Sequence, residues 1–212
     1  MKKNKWKKIT ALLLACLIAI QCSSFAFAYT NPFEDVSSNS WFYNAVMYVN
    51  GNGLMTGKDP SHFAPEEYMQ RQDVAVVLAR HFQSVGGNVD LSGPSDPYYA
   101  NYIKWAKEKQ IMMGYANGNF GVGDYITREA FVTVLYRYKS IGGIDPDPSV
   151  LDTYSDLNKI SDYAKLPMDF AIVDGIIQGY EKDGVKTIDP QGFLTRAMAA
   201  QIMERFFDTY GD

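Results

Sequence analysis

Cysteine and histidine are almost missing from this chain, two of each in 212 residues, and what is missing narrows the chemistry at once. Cys16 and Cys22 both lie near the amino terminus, in a stretch that reads as a removable leader. Once that stretch is gone, no disulfide or thiol chemistry remains. His62 and His81 fall at positions that do not recur in the repeats described below, which argues against a catalytic or metal-binding role. The loops contain Asp, Asn and Gly but lack the spacing of an EF-hand calcium loop. Neither a metal nor a cofactor is therefore expected. The apolar stretch from Ile9 to Ile20, with Thr10 its one polar residue, is too short to span a bilayer.

That stretch follows Lys2, Lys3, Lys5, Lys7 and Lys8 and leads to Ala26-Phe27-Ala28. A basic start, a short apolar run and small residues at the end make a secretory signal peptide over residues 1–28, with cleavage expected after Ala28. The alternative, Leu13-Leu14-Ala15-Cys16 as a lipoprotein box with Cys16 lipidated, fits less well because apolar sequence continues to Ile20. Removing five lysines leaves 15 basic against 24 acidic residues, a formal net charge of −9. A surface of that sign excludes bulk binding of nucleic acid or anionic lipid. Any anionic ligand must be gripped by a few local arginines, and no transmembrane segment is expected in the processed chain.

What the chain does contain is a threefold internal repeat. Gly57, Gly114 and Gly179 each stand three residues after Leu54, Ile111 and Ile176. In every copy eight residues separate a loop residue (Phe63, Phe120, Ile188) from an arginine (Arg71, Arg128, Arg196), and nine more lead to a second (Arg80, Arg137, Arg205). Each copy predicts two helices. The first carries Phe42, Ala45, Val46 and Val49, matched by Tyr99, Tyr102, Ile103 and Ala106 and by Ala164, Pro167, Met168 and Ala171. The second carries Val74, Val77 and Leu78, then Phe131, Val134 and Leu135, then Ala199, Ile202 and Met203. Helix pairs this short cannot bury both stripes alone, so three units around a shared core are expected. Gly86-Gly87 and Gly142-Gly143 mark helix ends, 88–97 and 144–152 read as surface linkers, and Pro167 predicts a helix start or kink. The copies are assigned to 29–87, 88–143 and 144–212.

Phe33-Glu-Asp-Val, Trp41, Gly-Leu-Met-x-Gly, Phe-x-Pro and a Thr-Arg motif together resemble the S-layer homology (SLH) domain family over nearly all of the processed chain. Its Thr-Arg-Ala-Glu motif stands here as Gln70-Arg71-Gln72-Asp73, Thr127-Arg128-Glu129-Ala130 and Thr195-Arg196-Ala197-Met198, so the arginine is kept throughout and the final acid only as Asp73. The Phe-x-Asp-Val opening becomes Tyr154-Ser-Asp156-Leu in the third copy and is degenerate near Asp96 in the second. The resemblance implies an all-α, pseudo-threefold spindle whose inter-repeat grooves bind pyruvylated secondary cell wall polysaccharide. It thus implies a non-catalytic surface anchor on a Gram-positive bacterium.

The chemistry suits the residues. A ketal-linked pyruvate presents a carboxylate, which a guanidinium meets with two parallel charge-assisted hydrogen bonds. Arg71, Arg128 and Arg196 follow the expected N-caps Gln70, Thr127 and Thr195, where free N–H groups and the helix dipole would also favour an anion. Trp41, aligned with Tyr98 and Tyr163, could offer each groove a flat wall for a pyranose. Arg80, Arg137 and Arg205, half a turn away on the same helices, are not expected in the same pockets and are read as bracing the unit or lining a different surface. The plainer alternatives are that the first arginines pair with Asp35 or a neighbouring acid, that Trp41 is core, and that the motif is only a capping box. Tyr48, Trp105 and Phe170, another aligned set, read as core. An exported protein–protein interaction scaffold on the same repeats is the competing function. An acidic glycosidase dyad could be drawn, but the repeats leave no segment for a catalytic domain.

Overall fold

Each apolar stripe in the sequence becomes a helix. The computed structural model describes residues 30–94, 96–140 and 154–211. Among them are six α-helices: α1 (Tyr43–Gly51), α2 (Arg71–Ser84), α3 (Ala100–Glu108), α4 (Arg128–Ser140), α5 (Lys165–Val173) and α6 (Arg196–Tyr210). The expected leader, Gly142-Gly143 and the linker at 144–152 lie outside the described residues. Pro167 is the third residue of α5, behind a 3-10 turn at Asp162–Ala164, so its missing N–H falls in the first turn where no intrahelical bond is lost. Gly86 ends α2 with φ +90°, as a left-handed stop requires. No described helix is long and apolar enough to cross a membrane.

The helices pair between copies, and this determines the architecture. The first helix of each copy packs on the second helix of the copy before it: α3 on α2, α5 on α4, and α1 on α6 to close the circle. Neither stripe is satisfied within its own unit, so the three copies share one core. Val74, Leu78, Phe131, Leu135, Ala199 and Met203 are fully buried in it. Trp105 and Phe170 are core as expected, and Tyr48 packs partly buried against it.

At the start of the second helices the three copies interlock through the backbone. The Ile126 N–H donates to the Met69 carbonyl (3.0 Å), Met69 to Leu194 (2.8 Å) and Leu194 to Ile126 (3.2 Å). These three bonds form a closed ring, one from each copy. Beside it, the loops of copies one and three are locked by a carboxylate. Asp35 accepts the N–H groups of Phe63 and Ala64 at 2.8 and 2.7 Å, and Asp156 those of Ile188 and Asp189 at 2.8 and 2.9 Å. Ala64 and Asp189 have φ of 59° and 50°, the cost of turning two successive N–H groups toward one anion.

The third loop, longer than the others, forms a hairpin. Strands β1 (Tyr180–Lys182) and β2 (Val185–Thr187) pair antiparallel across Asp183-Gly184, both at positive φ as a primed two-residue turn demands.

At the far end of the core His81, from copy one, stacks on Phe207 of copy three at 3.8 Å and shares a 2.7 Å hydrogen bond with Tyr138 of copy two. Only 7% of it is exposed, and burial lowers its pKa to about 4. The unfolded chain therefore takes up a proton between about pH 6.5 and 4 that the folded chain refuses, so stability falls as pH falls through that window. Urea unfolding at stepped pH should show a loss of up to about 3 kcal/mol from this group, absent in His81→Phe. Equal slopes in both proteins would show that another group carries the acid sensitivity.

Candidate functional site

The cyclic packing opens three related grooves, each walled by all three copies. The first lies between the loop Leu54–Lys58 and the α2 residues Asp73, Val76, Val77 and Arg80; Tyr98 enters from copy two and Arg196 from copy three. The second has the loop Met112–Ala116 and the α4 residues Ala130, Thr133, Val134 and Arg137, with Tyr163 from copy three and Arg71 from copy one. The third has Gln178–Tyr180 and the α6 residues Met198, Gln201, Ile202 and Arg205, with Trp41 from copy one and Arg128 from copy two. Their volumes are about 440, 420 and 210 Å³.

Every groove therefore holds one arginine of each column. The half-turn between Arg71 and Arg80 does send them to different grooves. However, a second-column arginine meets the first-column arginine of another copy, so the second column does not line a separate surface, although Arg80 and Arg205 do brace their own units through Leu54 and Gln178, each at 3.1 Å. Helical geometry within one copy was right, but it could not say which copy faces which.

The first-column arginines also fasten the grooves. Arg196 donates from Nε to the Phe63 carbonyl (2.9 Å) and from Nη2 to Thr56 (2.7 Å). Arg128 donates to the Ile188 and Gln178 carbonyls at 2.8 and 2.7 Å, and Arg71 to Phe120 at 3.0 Å. Each reaches into the next copy's loop, and Arg196 stacks on Phe63 there, 4.7 Å from the ring centroid. The glycine at the foot of each loop lets the loop fold back on itself, which shapes the carbonyls the arginine meets. A Cβ on Gly114 or Gly179 would sit 2.6 or 2.1 Å from a backbone carbonyl oxygen. Arg128 and Arg196 are 3% and 5% exposed, and burial pushes both pKa values down against the pull of nearby phenols and carboxylates. A guanidinium stays charged under such a shift.

The alternative of a bond between Asp35 and the arginine column is not what the structure shows. Asp35 holds backbone N–H groups, and among the described residues no arginine lies in an ion pair with a carboxylate. Nor are the helix N-termini open to an anion. The N–H groups of Arg71, Arg128 and Arg196 donate to the carbonyls of Asp124, Gly192 and Glu67, because the next copy's loop covers each helix start. Thr127 and Thr195 are side-chain caps, accepting from Ala130 and Met198, whereas Gln70 makes no cap and accepts from Gln72 instead. None of these three lines a groove; they sit at the interlocked seam.

The aromatic column stands in the grooves, one ring in each. Trp41, Tyr98 and Tyr163 are 57%, 57% and 54% exposed, so Trp41 is not core. Tyr98 donates to Asp73, and Tyr163 to the buried Glu129 at 2.9 Å. Partial burial and then the Asp73 bond push the Tyr98 pKa up to about 12, so its hydroxyl stays a donor. Residues the sequence reading did not place here are the second-column arginines and the side chain after each repeated glycine: Lys58, Tyr115 and Tyr180. The invariant nine-residue spacing was the signal for the arginines.

Comparison with known proteins falls on the same region. The S-layer homology domain family matches residues 32–75 and 92–132, within the first and second copies. The chain is 31% identical over 126 residues to the surface-layer 125 kDa protein of Lysinibacillus sphaericus, covering 56% of this chain and 10% of that one. It is 26% identical over 206 residues to an endoglucanase of Bacillus sp. (93% and 22%) and 27% identical over 151 residues to the cellulosome-anchoring protein of Acetivibrio thermocellus (68% and 33%). The chain thus spans between a tenth and a third of the length of these relatives.

The fastening role has its own test. Arg196→Lys removes the planar fork that reaches two carbonyls, and should lower unfolding free energy by roughly 1–3 kcal/mol in chemical denaturation. Arg71→Lys, which gives up one such bond, should cost less. Equal costs would mean that the carbonyl bonds do not set the difference.

Proposed function

We propose that the chain is a three-copy S-layer homology module that is exported and holds a cell wall polysaccharide non-covalently. In this reading the grooves take pyruvate ketals of a secondary wall polymer. The second-column arginines, with whatever donors the first column keeps free, meet the carboxylate. Trp41, Tyr98 and Tyr163 pack against the sugar faces. The role is binding without catalysis, at the surface of a Gram-positive cell.

The observation that carries the reading is the meeting, in each groove, of two guanidiniums from different copies, neither in an ion pair with a carboxylate among the described residues; Asp73, in the first groove, accepts from Tyr98 instead. Positive charge confined to the grooves, in a processed chain of net charge −9, suits carboxylates set singly along a sugar chain rather than a densely charged backbone such as nucleic acid. An exposed ring beside the arginines adds the apolar wall a pyranose needs. The S-layer homology match and the surface-layer and anchoring relatives support the same role. Several weak grooves on one molecule would hold a repeating polymer far more tightly than one, through effective concentration.

The test is co-sedimentation of the processed protein with purified Gram-positive sacculi, before and after acid extraction of the secondary polymer. Arg80→Ala/Arg137→Ala/Arg205→Ala is the right variant, because the first column is needed for the fold. Binding to intact walls, lost on extraction and reduced at least tenfold in the folded variant, is the expected result. No binding to walls bearing pyruvylated polymer would sink the anchor reading and favour the protein scaffold.

A further inference from the structure

Among the repeated positions at which the three grooves differ is the side chain after the glycine. In the first groove it is Lys58, drawn aside by Glu67 (3.3 Å). In the second it is Tyr115, whose hydroxyl donates to the Asp124 carboxylate (2.9 Å). Glu67 and Asp124 are equivalent residues, since their carbonyls accept the N–H groups of Arg196 and Arg71. The third member of that set is Gly192, which accepts from Arg128 and has no side chain.

Arg71 and Arg128 both lie over the ring of their tyrosine, 4.6 Å from the Tyr115 centroid and 5.0 Å from that of Tyr180, but with no carboxylate to take its hydroxyl Tyr180 bonds the arginine itself. Arg128 donates from Nη1 to the Tyr180 hydroxyl (3.2 Å). That bond, with those to Ile188 and Gln178, engages all three guanidinium nitrogens of Arg128. The Tyr180 hydroxyl also reaches the Met198 sulfur at 3.7 Å, across the groove. The third groove is accordingly half the volume of the others. In the second groove Arg71 spends only Nε on the protein, and both its Nη groups are without a hydrogen bond among the described residues.

We propose that Tyr180 occupies the third groove in place of ligand, that the protein works with two grooves, and that Asp124 and Glu67 are positioning residues that keep the other two open. The inference rests on the glycan-anchor reading and sharpens it to which sites bind. The difference lies in one missing carboxylate, Gly192, and not in the arginines, which all three grooves possess.

The test uses a methyl hexopyranoside carrying a 4,6-linked pyruvate ketal as probe, with stoichiometry from calorimetry and the indole N–H signal of Trp41 as reporter of the third groove. The wild-type processed chain should take two equivalents and leave the Trp41 signal unmoved. Tyr180→Ala, at an exposed hairpin position, should take three and move it. Asp124→Ala should free the Tyr115 hydroxyl to bond the Nη groups of Arg71, already stacked on its ring, and reduce binding to one equivalent, and Asp124→Ala/Tyr115→Ala should restore two. The restoration separates positioning from misfolding. Three equivalents in the wild type, or a shifted Trp41 signal there, would overturn the inference while leaving the anchor reading intact. No binding by any variant would remove both.

Discussion

The ring of three backbone hydrogen bonds among Met69, Ile126 and Leu194 is the contact on which the rest of the molecule depends. Each bond joins two copies, and the ring closes only if all three are present. It places the start of every second helix against the loop of the next copy, so the loop carbonyls, the arginine side chains and the groove walls are all positioned together. A two-copy fragment would leave one buried N–H and one carbonyl of the ring without partners, a cost of about 1–3 kcal/mol for each orphaned group before any apolar surface is counted. Closure is thus a matter of polar satisfaction as well as of burying the stripes.

From that interlock follows the double use of the first-column arginines. A guanidinium offers five donors in a fixed plane, so it can fasten a loop with one edge and still present another. Arg71 shows the balance most clearly, with one bond to Phe120 and the rest of its fork directed at the groove. Arg128 shows the opposite limit, every nitrogen engaged by its own protein. The second column carries less of the fold. Arg80 makes one bond to the Leu54 carbonyl and Arg205 one to Gln178, which leaves these residues to respond to what enters the groove.

Much of this was legible in the sequence because it is written three times. The stripes located six helices, the arginine spacing located their starts, and the aligned Trp41, Tyr98 and Tyr163 indicated one ring per groove. What one copy cannot encode is the identity of its neighbour. The facing of Arg196 with Arg80, or of Arg71 with Arg137, depends on the cyclic order of packing, which no spacing within a copy contains. The helix N-termini were misjudged for the same reason, since the loops that cover them come from another copy. The hairpin at Asp183-Gly184 is different: a primed turn is readable in that dipeptide, and the three added residues of the third loop mark the place. Its consequence for Tyr180 depends on Gly192, which aligns with Glu67 and Asp124 four residues before each column arginine; the spacing shows the missing carboxylate, but only the structure shows that this position faces the residue after the repeated glycine.

The division of labour between charges explains how one protein can both bury arginines and keep them attractive to an anion. Carboxylates such as Asp35 and Asp156 are spent on backbone N–H groups, whereas the first-column guanidiniums are spent on carbonyls. A carbonyl dipole lowers the cost of burying a cation without cancelling its charge; a carboxylate would cancel it. Had Asp35 paired with an arginine, as a simple ion-pair reading suggests, the loop would be held equally well and the groove would be electrically neutral. Cross-pairing these charges with the backbone instead locks the loops and keeps the guanidiniums beside the exposed rings out of any ion pair among the described residues. That choice of partners lets a structural arginine keep its charge at the wall of a groove.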